Sequence, residues 1–403
     1  MEIDTMAYPV KWYSSNMQGA GNLGDTTEGA LTSLLKSILV TGFGTLAINA
    51  LSFDTAKGWA VATFTGGHAY LQDSVVQVDG VSPAAYNGEH RVMLVTSTQV
   101  WFELDGGNPG AAGSGASMTM KVAPLGWSLT HESGDGKVAI YRPANISESG
   151  NVSLRIDNTA FSGWSGPTYM GYLAKVQMVE DVTDINTFTL INDARWPATA
   201  RYSDKRWDLI GDSQLFYFLP AYAAASYQAL YCFGYIKSLR PGDRYHAIAL
   251  NYPTTSADDS TRRWGSGAGI TYSSYYNQGL SFDDSNYRVM ARPYSQLFGV
   301  VGWWMKGLFP RFGTGMSVPN GPDNGFYMST DPIMVLETAN HLRGYLPGLI
   351  CPFGSVTAWN RKNFNSLPAL PNKLVRFIHA AYVESTVNGG PTMMGFDLTG
   401  PWR

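Results

Sequence analysis

The residues able to do chemistry are few, with six His and two Cys in 403 positions. The best-organised set is Gly211-Asp212-Ser213-Gln214-Leu215, directly after the apolar run Trp207 to Ile210. A serine at the end of a strand can act as an acyl nucleophile when a His assisted by an acid stands beside it. Thr338 stands three residues before His341 and Arg376 three before His379, so neither His has an acid close before it in sequence. A tight turn whose Asp and Ser satisfy backbone donors accounts for the block instead. Cys232 and Cys351 lie too far apart in sequence for a disulfide framework or a metal motif, which suits a protein made in a reducing cytoplasm. Cys232 reads as a small buried hydrophobe, and His246, beside Tyr245, as a core or interface histidine. Asp258-Asp259 and Asp283-Asp284 lack the oxygen spacing of a calcium loop and read as solvated charge. Gly106 to Ser117 is Gly-rich, but no Lys-Ser/Thr pair follows, so it reads as a long hairpin tip and not as a phosphate cradle. The expectation is no catalytic residue, no cofactor, no metal ligand and no enzyme activity.

The elements that would have to position any such group are mostly strands. Between Trp59 and Val122 short apolar runs rich in β-branched and aromatic residues (Val75 to Val78, Val92 to Val95, Val100 to Leu104) alternate with Gly66-Gly67, Asp79-Gly80, Asn87-Gly88 and Gly106-Gly107-Asn108-Pro109. This predicts a compact barrel or sandwich of about five or six strands. Upstream, Leu31, Leu34, Leu35, Ile38 and Leu39 fall at helical spacing, with Asp25 and Glu28 as a capping box and Gly42 and Gly44 as the stop. That helix docks either on a neighbouring sheet or on another subunit. Residues 8 to 24 are polar and Gly-rich, with Trp12 and Tyr13, and are expected to lie extended over a neighbour.

Downstream, strands are predicted at Val138 to Tyr141, Val152 to Ile156, Gly171 to Met178, the apolar runs through Trp207 to Tyr222 and Tyr227 to Leu250, and Lys373 to Ser385 as a final strand or short helix, while Tyr294 to Phe312 reads as a core strand or a subunit contact. A short helix is expected after Thr330-Asp331-Pro332. The predicted class is mainly β: an N-terminal arm and helix (1–50), a small β-barrel module (51–125) and a large β-rich domain (126–403) divisible near 250–295.

The order from Gly66 to Leu104 also carries a resemblance: Gly67-His68, Gly80, Pro83, Asn87-Gly88, Arg91-Val92, and Thr96-Ser97-Thr98 before Trp101. It resembles the small β-barrel module recurrent in bacteriophage tail proteins, labelled FCCH-like by analogy with the first catalytic cysteine half-domain of ubiquitin-activating enzymes. Neither cysteine lies in the module, so the analogy implies no thioester chemistry. Val10-Lys11-Trp12-Tyr13-Ser14, Val40-Thr41-Gly42-Phe43-Gly44 and the Trp207 to Asp212 entry into Leu215-Phe216-Tyr217 are similar to the same tail proteins. Gly211-Asp212-Ser213 resembles the GDS block of GDSL esterases as well, but that block normally opens its domain and here falls past the middle.

Composition narrows the partners. A net charge of −3 and 15% charged residues give no electrostatic case for nucleic acid. No apolar run reaches the roughly 18–20 residues needed to span a bilayer, so a soluble, unsecreted chain is expected. The resemblance implies a structural component of a virion, at the distal tail, baseplate or tail tip, made in the host cytoplasm and acting through homo-oligomeric contacts and other tail proteins. Trp12, Tyr13, Trp303 and Trp304 are the candidate assembly contacts. The alternative is attachment to a host surface glycan through some of the 23 Tyr and 12 Trp; a head-decoration role and a cell-wall or capsule hydrolase stand behind it.

Overall fold

The computed structural model describes residues 8–23, 28–146, 150–160, 173–198, 206–221, 228, 230–250, 288–306, 317–337, 341–354, 356–379 and 393–403. Strand β1 (Lys11–Ser14) and helix α1 (Ala30–Lys36), extended by a π-helical turn at Ser37–Thr41, precede seven strands: β2 (Phe43–Ala47), β3 (Ala50–Asp54), β4 (Trp59–Thr63), β5 (Val75–Asp79), β6 (Gly88–Val95), β7 (Gln99–Phe102) and β8 (Thr119–Val122). These order as β2-β8-β5-β6-β7-β4-β3. The two ends of that row are one stretch of chain: Phe43 and Ala47 pair with Val122 and Thr119, and Leu51 bridges Gly113 before β3 turns to β4. The sheet therefore closes into a barrel around Ala60, Ala62, Val76, Val78, Val92, Val100, Phe102 and Met120. It begins at Phe43, before the boundary expected at residue 51. Gly106 to Ser117 is not a hairpin tip: β7 pairs with β4 and β6, and β8 with β2 and β5, so the loop crosses an end of the barrel and is pinned at Gly113 and Ser114.

A five-stranded antiparallel meander follows, β9 (Trp127–Glu132), β10 (Val138–Pro143), β11 (Ser153–Asp157), β12 (Leu173–Asp184) and β13 (Thr187–Pro197). Helix α1 packs on it through buried Leu31, Leu34 and Leu35, and Tyr141 Oη donates to the Thr32 carbonyl at 2.8 Å. The helix is thus docked on its own chain. The expected capping box does not form: the helix opens only at Ala30 after Gly29, the Leu31 N–H donates to Asn158 Oδ1 at 2.9 Å, and Glu28 pairs with Lys137. Asp25 lies outside the described residues.

The rest builds two further sheets from β14 (Trp207–Gly211), β15 (Leu215–Pro220), β16 (Tyr231–Tyr235), β17 (Lys237–Ser238), β18 (Ala247–Leu250), β19 (Arg288–Met290), β20 (Val301–Lys306), β21 (Met328–Ser329), β22 (Ile333–Glu337), β23 (His341–Leu346), β24 (Leu349–Pro352), β25 (Lys362–Leu367), β26 (Leu370–His379) and β27 (Met393–Asp397). Ten strands run β1-β14-β15-β16-β18-β19-β20-β22-β23-β17, and five run β21-β24-β27-β26-β25. The chain is mainly β, as the sequence predicts, with antiparallel sheets and one short α-helix among the described residues.

Three further expectations need correction. The N-terminal arm needs no neighbour, because β14 of the same chain supplies the surface: Lys11–Ser14 pairs with Gly211–Asp208 and all four residues are buried. The segment after Thr330-Asp331-Pro332 is strand β22, not a helix, since it pairs on both sides, with β20 and β23. The apolar run from Tyr294 does not begin as a core strand: β20 starts at Val301, and Tyr294, Leu297, Phe298 and Val300 are exposed.

Candidate interaction surface

Two buried ion networks organise the large domain, and they face different surroundings. The inner one centres on Asp208 in β14, whose carboxylate accepts from Arg376 at 2.7 Å and from Arg361 at 2.8 Å. Gln228 Nε2 donates to the same group at 2.8 Å. The Arg376 guanidinium centre stands 4.1 Å over the Trp12 ring, a cation–π contact in a site closed to water. Trp12 Nε1 donates to the Asp73 carbonyl on the barrel at 2.9 Å, Tyr13 Oη to the Ala123 carbonyl at 3.0 Å, and Lys11 Nζ reaches Glu89 at 2.6 Å. The strand β1 thus fastens the barrel to the ten-stranded sheet. Gly19 and Gly44 complete the contact: a Cβ on Gly44 would sit 2.0 Å from the Gln18 carbonyl oxygen, at a φ of +69° that side chains rarely adopt.

The outer network lies where β17, β22, β23 and the 239–245 turn meet. Arg343 Nε donates to Asp243 at 2.9 Å and its Nη1 to Glu337 at 3.0 Å, all three side chains being buried. Arg343 also donates to the Arg292 carbonyl, while Arg292 pairs with Glu180 and stacks between Tyr245 (4.0 Å) and Phe298 (5.1 Å). Burial works to raise the Asp243 carboxyl, but the Tyr245 N–H, Arg343 and His246 hold it below the usual carboxylate range. Burial pushes His246 down to about 4 against the pull of Asp243, so it is neutral near pH 7.

Over this network runs the loop from Pro293 to Val300. Its backbone is fixed from beneath: the Tyr294 N–H donates to Glu337 Oε2 at 2.9 Å, Gln296 Nε2 to Asp243 Oδ1 at 3.2 Å, and Arg240 to the Tyr294 carbonyl. Its apolar side chains are exposed. Phe298 is 87% exposed and Leu297 70%, with Tyr294, Val300 and the nearby Leu239 also open to solvent. Exposed large apolar residues grouped in this way mark interaction surfaces. The strand that follows, β20, carries Trp303 and Trp304 opposite Glu337 and Leu336.

The other sequence-predicted groups resolve differently. Trp12 and Tyr13 lie in the chain's own core at 4% and 1% exposure, so they are internal anchors. Asp212 accepts from the N–H groups of Gln214 and Leu215 and pairs with Arg403 at 3.0 Å, so the Gly211-Asp212-Ser213 block is a hairpin turn with its acid already engaged. Cys232 and Cys351 are buried, and burial pushes both thiols up, away from the reactive thiolate. Both acidic pairs lie outside the described residues. Among the described residues no three His, Cys, Asp or Glu side chains gather as a metal site, and no helix is long and apolar enough to cross a membrane. A cavity of about 500 Å³ between the arm and α1, lined by Gly19, Asn22, Glu28, Ser33, Leu34 and Phe43, offers one carboxylate, and Lys137 pairs it.

Sequence reasoning took the run from Tyr294 to Phe312 as a core strand or a subunit contact centred on Trp303-Trp304 and did not single out Tyr294, Leu297 and Phe298 as its exposed part, though Pro293 and Gly299 bracket them. Asp243, Glu337 and Arg343 had no local spacing to betray them. No protein-family model matches this sequence, and no curated protein is significantly similar to it.

Proposed function

We propose that the chain is a structural component of a bacteriophage virion, in the distal tail or baseplate, which joins other tail parts through protein contacts and performs no catalysis. The observation that carries this reading is the Tyr294 to Val300 loop: apolar side chains held out to solvent on a base of buried ion pairs. Pre-ordering a loop removes much of the entropy that binding otherwise costs, and aromatic anchors at an interface centre commonly carry a few kcal/mol each. The closed barrel from Phe43 to Val122 adds support, because it is built from the residues on which the tail-protein resemblance rests. Glycan attachment has less behind it: the eight Trp side chains that the structure describes are buried or half-buried.

The test is composition and position. The chain is expected in washed, purified virions by mass spectrometry, and at the tail end by cryo-EM. Its absence from particles, or turnover of ester, peptidoglycan or polysaccharide substrates that Ser213→Ala abolishes, overturns the reading.

A further inference from the structure

The charges around the exposed loop are sorted by depth, and that sorting describes what docks there. The network's carboxylates face inward: Asp243, Glu337 and Glu180 are at most 4% exposed and are held by Arg343 and Arg292. Cations are left outside. Arg240 is half-exposed, its guanidinium 5.2 Å over the Tyr294 ring and donating to that residue's carbonyl, and exposed Lys237 lies three residues before it in the chain. Neither Ile236 to Gly242 nor Ala291 to Gly302 contains an acidic residue. Among the described residues, an approaching surface meets apolar side chains beside the Arg240 guanidinium.

We infer that this patch docks another polypeptide whose surface sets carboxylates around an apolar centre. The inference rests on the assembly reading above and names the chemistry of the partner at that surface. A second copy of this chain fits poorly: a two-fold contact through the patch doubles its cations, and neither Ile236 to Gly242 nor Ala291 to Gly302 brings a carboxylate to pair them. An anionic lipid surface also fits less well. Each basic residue near such a surface contributes about 1 kcal/mol, and one modest apolar group on two cations falls short of the two strong signals that stable membrane anchoring takes. A protein partner with carboxylates uses both features, the apolar side chains for burial and the guanidinium for charge-assisted hydrogen bonds at the rim.

The experiment uses the full chain and tail subassemblies from a phage lacking it, complemented in vitro with purified protein at several salt concentrations. Wild-type chain is expected to incorporate, less efficiently as salt rises. Lys237→Glu with Arg240→Glu should lower incorporation about tenfold, the scale of 1.4 kcal/mol, and flatten the salt dependence. Phe298→Ser should lower it by a similar factor and leave the salt dependence intact. All variants should melt as wild type does. If charge reversal changes nothing while Phe298→Ser abolishes incorporation, the surface docks but its partner is not acidic, and the inference falls while the assembly reading stands. If all variants incorporate normally, the surface is not used and the inference falls. If wild type itself does not incorporate, the assembly reading fails and takes the inference with it. Binding to phosphatidylserine-containing vesicles at physiological salt that Phe298→Ser abolishes overturns the choice of a protein partner.

Discussion

The inner network at Asp208 and the outer network at Asp243 use the same chemistry for different ends. Each sets carboxylates against arginines in a site closed to water, where the desolvation cost of the ions is recovered only through close geometry and full pairing. Around Asp208 the neighbours are the chain's own strands, and Trp12 caps the guanidinium, so the ions hold three parts of the fold in register. Around Asp243 one wall is a loop whose far side is solvent, so the ions hold a surface in shape. A buried salt bridge does not announce its purpose. What lies on its far side does.

The comparison can be broken most directly at Arg376. Arg376→Met leaves Asp208 with half its compensation inside the core and should cost about 3–5 kcal/mol, read as a global loss in urea denaturation. Trp12→Ala should cost a similar about 3–5 kcal/mol, the usual range for a buried aromatic. A Trp12→Ala protein that melts as wild type would return the arm to the role of an assembly contact.

Arg343→Met is expected to cost less globally, about 1–3 kcal/mol, because the loop can open and let water reach Asp243 and Glu337. Its signature is local: hydrogen exchange at Gln296 to Gly299 should quicken while β14 and β15 stay protected. Uniform loss of protection would make the two networks alike.

Acid sharpens the contrast. His246 and His379 are both held to about 4 by burial, so between the ordinary histidine value and about 4 the unfolded chain binds protons that the native chain refuses. Stability is therefore full above that window and falls as pH drops through it, by on the order of 2 kcal/mol per histidine. His246→Gln should flatten about half of that slope in urea titrations between these limits, since His379 is held down to the same degree; an unchanged slope would remove His246 from the outer network. The smallest effect is Phe298→Ser, which should move stability by less than about 0.5 kcal/mol. A larger loss in thermal melts would mean the ring packs internally.

Much of this fold is legible from residue order because local signals agree with tertiary demand. Trp207 to Pro220 reads as two apolar strands about an Asp-Ser turn, and Asp212 closes that turn by accepting two backbone N–H groups. The misreadings occur where a distant partner decides. Ile333 to Glu337 suits helix or strand, and only β20 and β23 on either side make it a strand. Asp25 and Glu28 look like a cap, yet the N–H that needed one was met by Asn158, far along the chain. The exposed loop was hidden for a related reason: an apolar run such as Tyr294 to Trp304 does not say which part faces inward, and the carboxylates beneath it come from separate strands and turns.

The pairing of β1 with β14 also sets the order in which the chain can be finished. Lys11 is made about 200 residues before its partner Gly211, an interval on the order of ten to forty seconds at typical synthesis rates, and Arg361 and Arg376 follow later still. Throughout that interval Trp12 and Tyr13 have no strand to join and stand as an open, aromatic edge while the barrel behind them closes on its own local pairings. The strand β1 cannot pair until β14 has been made. Nascent chains stopped before Trp207 should accordingly carry a folded barrel with a sticky N-terminal tail, bind holdase chaperones, and release them once the second half of the ten-stranded sheet has emerged.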